Sequence, residues 1–192
     1  MLIGSFETQS NERLTAIGYC LEQGWTLSGL VMLYAAIDTM SCLYAPAGEE
    51  FVTREHFLTW VDDFMVNCEE HLSSRLFKKT EGVRLQIPKL GCTSLELYSA
   101  RCGLVHTYHA ESKLVKRGVR RLYYVVGEVR PEDAIATIRP DLQAGCTVLH
   151  AGELFRLFVQ AINVFKDAVY NDTDLHARVE ERSRLFLLTD EM

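Results

Sequence analysis

The chain has 192 residues, 48% of them hydrophobic and 24% charged, and carries a formal net charge of −6. Those figures fit one folded domain with a sizeable core, or one domain with a small appendage. The negative balance excludes a surface broadly committed to coating nucleic acid, which needs many Lys and Arg, but leaves room for a local basic groove.

The first ten residues read as a loose start, with Asn11 as the N-cap of a helix that ends near Gly24. A second helix follows, with Leu27, Val31, Tyr34, Asp38 and Ser41 in one stripe at spacings of three and four, flanked by Leu30, Leu33 and Ile37. It stops near Pro46-Ala47-Gly48. Thr53 caps a third helix, whose buried face is Phe57, Trp60, Val61, Phe64 and Cys68, and which fades around Leu72 to Leu76. A stretch punctuated by Lys78-Lys79, Gly82, Pro88 and Gly91 comes next, and Val83 to Ile87 alternates as a short strand would.

Thr93 or Ser94 opens a fourth helix that runs past Tyr108 to about Val115. Leu122 to Val126 is a β-branched and aromatic run, hence a strand. Glu128 to Gly145 is loop with a short helical turn, and Cys146 to Leu149 a second short strand. A long amphipathic helix spans about Ala151 to Val169, with Leu154, Phe158, Ile162, Phe165 and Val169 on one face, and a last helix covers about Asp174 to Leu188. The expected fold is a mainly α, antiparallel helical bundle in a single domain over 1–192, with a small β-bearing insertion at 116–149.

The six cysteines (Cys20, Cys42, Cys68, Cys92, Cys102 and Cys146) form no C-x-x-C pair and no metal-ligand spacing. No basic and apolar leader is evident at the N-terminus. Both points suit reduced thiols in a cytoplasmic protein. No apolar run reads as long enough to span a membrane.

The run Arg101-Cys102-Gly103-Leu104-Val105-His106-Thr107-Tyr108 lies inside the fourth helix. Arginine holds phosphate charge at any physiological pH, and histidine moves a proton near neutrality. Cleavage of RNA through its own 2′-hydroxyl needs those two services and no metal. In an ideal helix, residues five apart are rotated by about 140°, so Arg101 and His106 do not share a face. They act on one phosphate if the helix distorts near Gly103, or if two chains combine their halves across a two-fold seam.

The segment from Leu97 to Tyr108, with its R-x4-H-x-Y pattern, resembles the signature helix of HEPN domains, which occur in prokaryotic toxin–antitoxin, phage-defence and RNA-processing systems. The resemblance implies a helical bundle, a homodimer with both motifs in one cleft, and metal-independent endoribonuclease activity without a cofactor. It implies that Arg101 orients the scissile phosphate and that His106 is the general acid or base. Tyr108 matches the tyrosine that a nucleotidyltransferase antitoxin adenylylates in some members. Active members carry Asn, Asp or His after the arginine; this chain has Cys102, which points to an alternative, a non-catalytic HEPN module that binds RNA or nucleotide and regulates a partner. A third possibility is a purely structural interaction domain.

Other residues add to this expectation. Asp38, a carboxylate on an apolar stripe, needs either a partner, for which Arg101 is the candidate, or an edge position that reaches solvent. Lys113, Lys116, Arg117, Arg120 and Arg121 form a basic cluster fit to follow an RNA backbone, or else a solvated helix end. His106-x-x-His109, with only Glu111 near, lacks the ligands of a metal site.

Overall fold

A computed structural model describes residues 2–49, 52–66, 87, 90–107 and 112–186, and the side chains of all of these except 2–5, 106–107 and 185–186. Among the described residues there are eight α-helices and one two-stranded parallel sheet, a mainly α protein with a small β-bearing insertion. Cys68, Leu72 to Leu76, the alternation at 83–86 and Leu188 lie outside the described residues.

Helix α1 (Leu2–Glu22) begins nine residues before the expected start at Asn11. Phe6, Ser10 and Ile17 are buried along it, and Phe6 meets Phe165 edge to face at 6.3 Å. The polar residues between them dilute the apolar spacing, which is why the first turns read as loose. Asn11 caps nothing; its carbonyl accepts from Thr15 Oγ1 at 2.8 Å, inside the helix.

At the other end the Trp25 N–H bonds to the Cys20 carbonyl at 2.8 Å and the Gly24 N–H to the Leu21 carbonyl at 3.1 Å. With Gly24 at φ 74°, this is a Schellman stop, a left-handed position that suits glycine. It turns the chain straight into α2 (Thr26–Tyr44). A Cβ on Gly29 would stand 2.7 Å from Leu21 Cδ2, so glycine lets the two helices close at the hairpin. At the far end Phe6 and Ser10 lie beside Met40 and Leu43, so the pair is antiparallel.

Helix α2 is the central element and packs against α1, α3 (Arg54–Trp60), α4 (Ser94–Thr107), α7 (Ala151–Asn171) and α8 (Thr173–Phe186). The expected stripe holds from Tyr34 onward, whereas Leu27 at its start is 47% exposed. With 19 residues and a mean hydropathy of 1.4, α2 meets the length and composition of a membrane span, which corrects the reading of the sequence. Serines, threonines and one aspartate interrupt its apolar residues and hid that average. Half of that span is buried inside the protein, as in a core helix.

Thr53 caps α3 reciprocally: its Oγ1 accepts the His56 N–H and its own N–H bonds His56 Nδ1. The helix runs on into a π-helical turn, Val61–Val66. The wider turn carries Phe64 into a cluster with Trp60 (5.6 Å), Phe165 (5.1 Å) and Tyr44 (5.0 Å). Aromatic pairs of this kind add about 0.5–1.5 kcal/mol each beyond burial.

Strand β1 (Arg121–Val125) pairs in parallel with β2 (Cys146–His150), Tyr123 opposite Val148. Two short helices, α5 (Pro131–Ile135) and α6 (Pro140–Gln143), make the crossover where one helical turn was expected. Leu122, Tyr124 and Leu149 face the bundle, and the Tyr124 hydroxyl bonds the Tyr34 hydroxyl of α2 at 2.5 Å. Burial holds both phenols well above the ordinary tyrosine range, so the bond joins two neutral groups. Helix α7 then presents Leu154, Phe158, Ile162, Phe165 and Val169 to the core as the periodicity requires.

Arg182 of α8 closes the C-terminus of α2. Its guanidinium donates to the Cys42 carbonyl, to the Pro46 carbonyl at 2.6 Å and to the Glu49 carbonyl at 3.1 Å. Helix ends leave such carbonyls without partners, and a cation there also suits the dipole. Arg182→Ala should cost about 2 kcal/mol, visible as a lower urea midpoint at unchanged slope.

Candidate functional site

Helix α4 carries the Arg–His run, and its start is fixed from three sides. Thr93 and Glu96 form a capping box: the Thr93 N–H donates to Glu96 Oε2 at 2.7 Å, and the Glu96 N–H to Thr93 Oγ1 at 3.3 Å. Arg120 reaches back to the same carboxylate, Nε to Oε1 at 2.5 Å and Nη2 to Oε2 at 3.1 Å, and also donates to the Gly91 carbonyl. One turn on, Ser99 Oγ and Ser112 Oγ share a buried bond of 2.6 Å.

That serine pair overturns the expected extent of the helix. The described part of α4 ends at Thr107, and Ser112 stands beside Ser99. Eight residues of helix span about 12 Å, so the chain has come back nearly that far by residue 112 instead of continuing to Val115. The basic cluster therefore does not extend the helix. Lys113, Lys116 and Arg117 sit on a turn and a 3₁₀ turn (Val115–Arg117), Arg120 follows, and Arg121 opens β1, with Ser112 and Arg120 tied to the first half of α4.

Arg101 and Asp38 do meet. Arg101 Nε donates to Asp38 Oδ2 at 2.8 Å, and Nη2 lies 2.7 Å from the same oxygen. Asp38 is the only charged residue of α2, so its carboxylate on a largely apolar helix is answered by the guanidinium across the α2–α4 seam. The two side chains are 22% and 20% exposed, at the edge of the core and within reach of solvent. Burial alone would lower the Arg101 pKa; Asp38, with a smaller contribution from Cys102, outweighs it and holds the guanidinium charged.

Tyr98, one turn before Arg101, completes this corner. Its ring centre lies 5.9 Å from the guanidinium carbon and 5.4 Å from the ring centre of Phe57. Burial and the neighbouring Cys102 thiol raise its pKa. The signal for Tyr98 was present in the sequence, three residues ahead of Arg101 on one face. The capping pattern Thr93-x-x-Glu96 likewise announced Glu96.

Helix α4 is regular α-helix through Gly103. Position 106 therefore lies about 140° around from Arg101 and about 20° from Ser99. Within one chain the two motif positions point to different sides of α4. Tyr108, His109, Ala110 and Glu111 lie outside the described residues, as does the His106 side chain.

Of the five basic residues, Arg120 is engaged with Glu96, and Arg121 donates through Nη1 to the Tyr123 hydroxyl at 3.1 Å. Lys113, Lys116 and Arg117 are exposed. Among the described residues, no group of three or more His, Cys, Asp or Glu is arranged to hold a metal ion. Burial pushes the Cys92 thiol up to about 12, which keeps it protonated and unreactive.

A cleft of about 700 Å³ lies at the C-terminal ends of β1 and β2, lined by residues including Gly127, Val148, His150 and Glu153, and Arg101 takes no part in it. His150 caps α7 there, accepting the Gly152 N–H on Nδ1. Comparison with family models, with characterised proteins and with solved structures finds no match for this chain.

Proposed function

We propose that this protein is a metal-independent endoribonuclease of the HEPN type, with Arg101 holding the scissile phosphate and His106 transferring the proton. The 2′-hydroxyl attacks the phosphorus, the bond to the 5′-oxygen breaks, and the products are a 2′,3′-cyclic phosphate and a 5′-hydroxyl. Histidine takes the proton from the attacking oxygen or returns one to the leaving oxygen, a service worth roughly 10²–10⁴ in rate. Arg101 stabilises the charge that gathers on the phosphate oxygens.

The observation that carries this reading is the Asp38–Arg101 contact. It fixes a guanidinium at the rim of the core on the motif helix, which is how a phosphate-binding arginine is pre-positioned. The unbroken α4 supports a homodimer in which Arg101 of one chain and His106 of the other face the same phosphate. In the setting of a toxin or defence system, Tyr108 would be the position modified by a nucleotidyltransferase antitoxin.

The test is incubation of the full chain with single-stranded RNA in EDTA. Products ending in cyclic phosphate are expected, and they should vanish in His106→Ala. Cleavage that persists in that variant overturns the assignment. A second reading, a non-catalytic module that binds RNA or nucleotide and regulates a partner, is favoured by Cys102 and by the neutralisation of Arg101 by Asp38. It requires RNA binding with no cleavage product.

A further inference from the structure

We infer that the turn from Ser112 to Gly118 and the start of β1 form a track for single-stranded RNA, with Lys113, Lys116 and Arg117 on phosphates and Tyr123 under a base. The inference rests on the reading above only in taking RNA as the ligand; it assigns contacts away from Arg101 and His106.

Charge comes first. From Ser112 to Gly127 the chain holds five cations and no carboxylate, in a protein of net charge −6. Arg120 is engaged with Glu96, and Arg121 with Tyr123, which leaves Lys113, Lys116 and Arg117 exposed on one short turn.

The turn is held in shape. Ser112 Oγ accepts the N–H groups of Leu114 and Val115 at 3.1 and 3.4 Å. The Leu114 carbonyl accepts from Arg117 at 2.9 Å and from Val119 at 3.1 Å, and Gly118 closes the turn at φ 94°. The Ser99–Ser112 bond and the Arg120–Glu96 pair anchor its two ends on α4. Cations on a fixed turn bind a polyanion without first paying to order the backbone.

Tyr123 selects the kind of polyanion. It is partly exposed, and Arg121 approaches it at 3.1 Å from the hydroxyl and 5.9 Å from the ring centre. An aromatic that follows a row of cations in the chain can stack an unpaired base, whereas a base within a duplex is already stacked on both faces. None of the large exposed apolar residues lies in this segment, so it lacks the apolar wedge that membrane-surface binding uses.

The test measures binding of the full chain to a fluorescent single strand of about 12 nucleotides, a length within one ordinary binding site, across a range of salt. Lys113→Gln/Lys116→Gln/Arg117→Gln should lower the salt slope by roughly two, since each phosphate contact on a single strand contributes about 0.7. Tyr123→Ala should weaken binding roughly tenfold with the slope unchanged, and Tyr123→Phe should bind as the wild type does. Circular dichroism melts confirm that each variant is folded.

An unchanged slope in the triple variant overturns the track. So does equal binding to the same sequence as duplex, or binding to anionic vesicles in place of RNA. Cleavage is scored separately in the same variants. Slope loss without any cleavage in the wild type keeps the track and removes the nuclease reading; cleavage with an unchanged slope does the reverse.

Discussion

Replacing Glu96 with Ala should lower the unfolding free energy by about 3 kcal/mol, the largest loss expected here together with that of its partner Arg120. Glu96 is only 6% exposed, and its two oxygens serve the Thr93 N–H and the Arg120 guanidinium. Removing the carboxylate strands both donors. Arg120 is 36% exposed, so water recovers part of its loss, and this keeps the figure below the upper end for buried pairs. Glu96→Gln, which keeps an acceptor for Thr93 but not the charge, should fall between the two proteins. Arg120→Ala alone should cost comparably, and the double variant far less than the sum of the singles. Equilibrium urea unfolding measures all four. Additive losses would mean that the pair is not the joint between α4 and the β-bearing insertion. The effect on function should follow: with that joint loosened, the turn carrying Lys113, Lys116 and Arg117 loses one of its two anchors.

The same residues show what a sequence can announce. Thr93-x-x-Glu96 ahead of an apolar run states a helix start chemically, and the structure has it there. Asp38 was legible because a charge at a core-facing spacing demands a partner, and Arg101 is that partner. Helix α7 was legible because five large apolar residues repeat at three and four without interruption. Strand positions followed from β-branched and aromatic runs, but their parallel pairing depends on the crossover through α5 and α6, which no local pattern encodes.

The failures have equally specific causes. Buried Ser10 in α1 is a polar residue doing a small residue's packing, so periodicity measured on apolar residues misses it. Residue 112 stands beside Ser99 through the Ser99–Ser112 bond, a long-range contact between two residues unremarkable in themselves. The π-helical turn at Val61–Val66 shifts the register by one residue, and it is visible only once Phe64 is seen to join Trp60 and Phe165.

Arg101→Lys should leave a folded protein whose RNA cleavage is reduced roughly 10²–10³-fold. Lysine keeps the charge but only as a compact ammonium, and it cannot hold the Asp38 carboxylate while presenting a planar edge to a phosphate. Two donors of the Arg101 fork already converge on Asp38 Oδ2. Asp38→Asn tests that orientation directly. It keeps shape and volume, removes the opposing charge, and should lower kcat roughly tenfold with little change in KM if the carboxylate sets the angle of Arg101. Its stability cost should be about 2 kcal/mol, because the side chains are only partly exposed and the guanidinium keeps an acceptor but loses its counter-charge. A purely structural pair predicts the opposite split: the same loss in urea, with the folded fraction cleaving at the wild-type rate. Comparing kcat of Asp38→Asn at a urea-free temperature well below its midpoint separates the two. Mixing Arg101→Ala with His106→Ala protein then asks whether the site is shared. Each variant alone should be inactive, and recovery of cleavage on mixing requires that His106 of one chain serve Arg101 of another, as the proposed shared site expects.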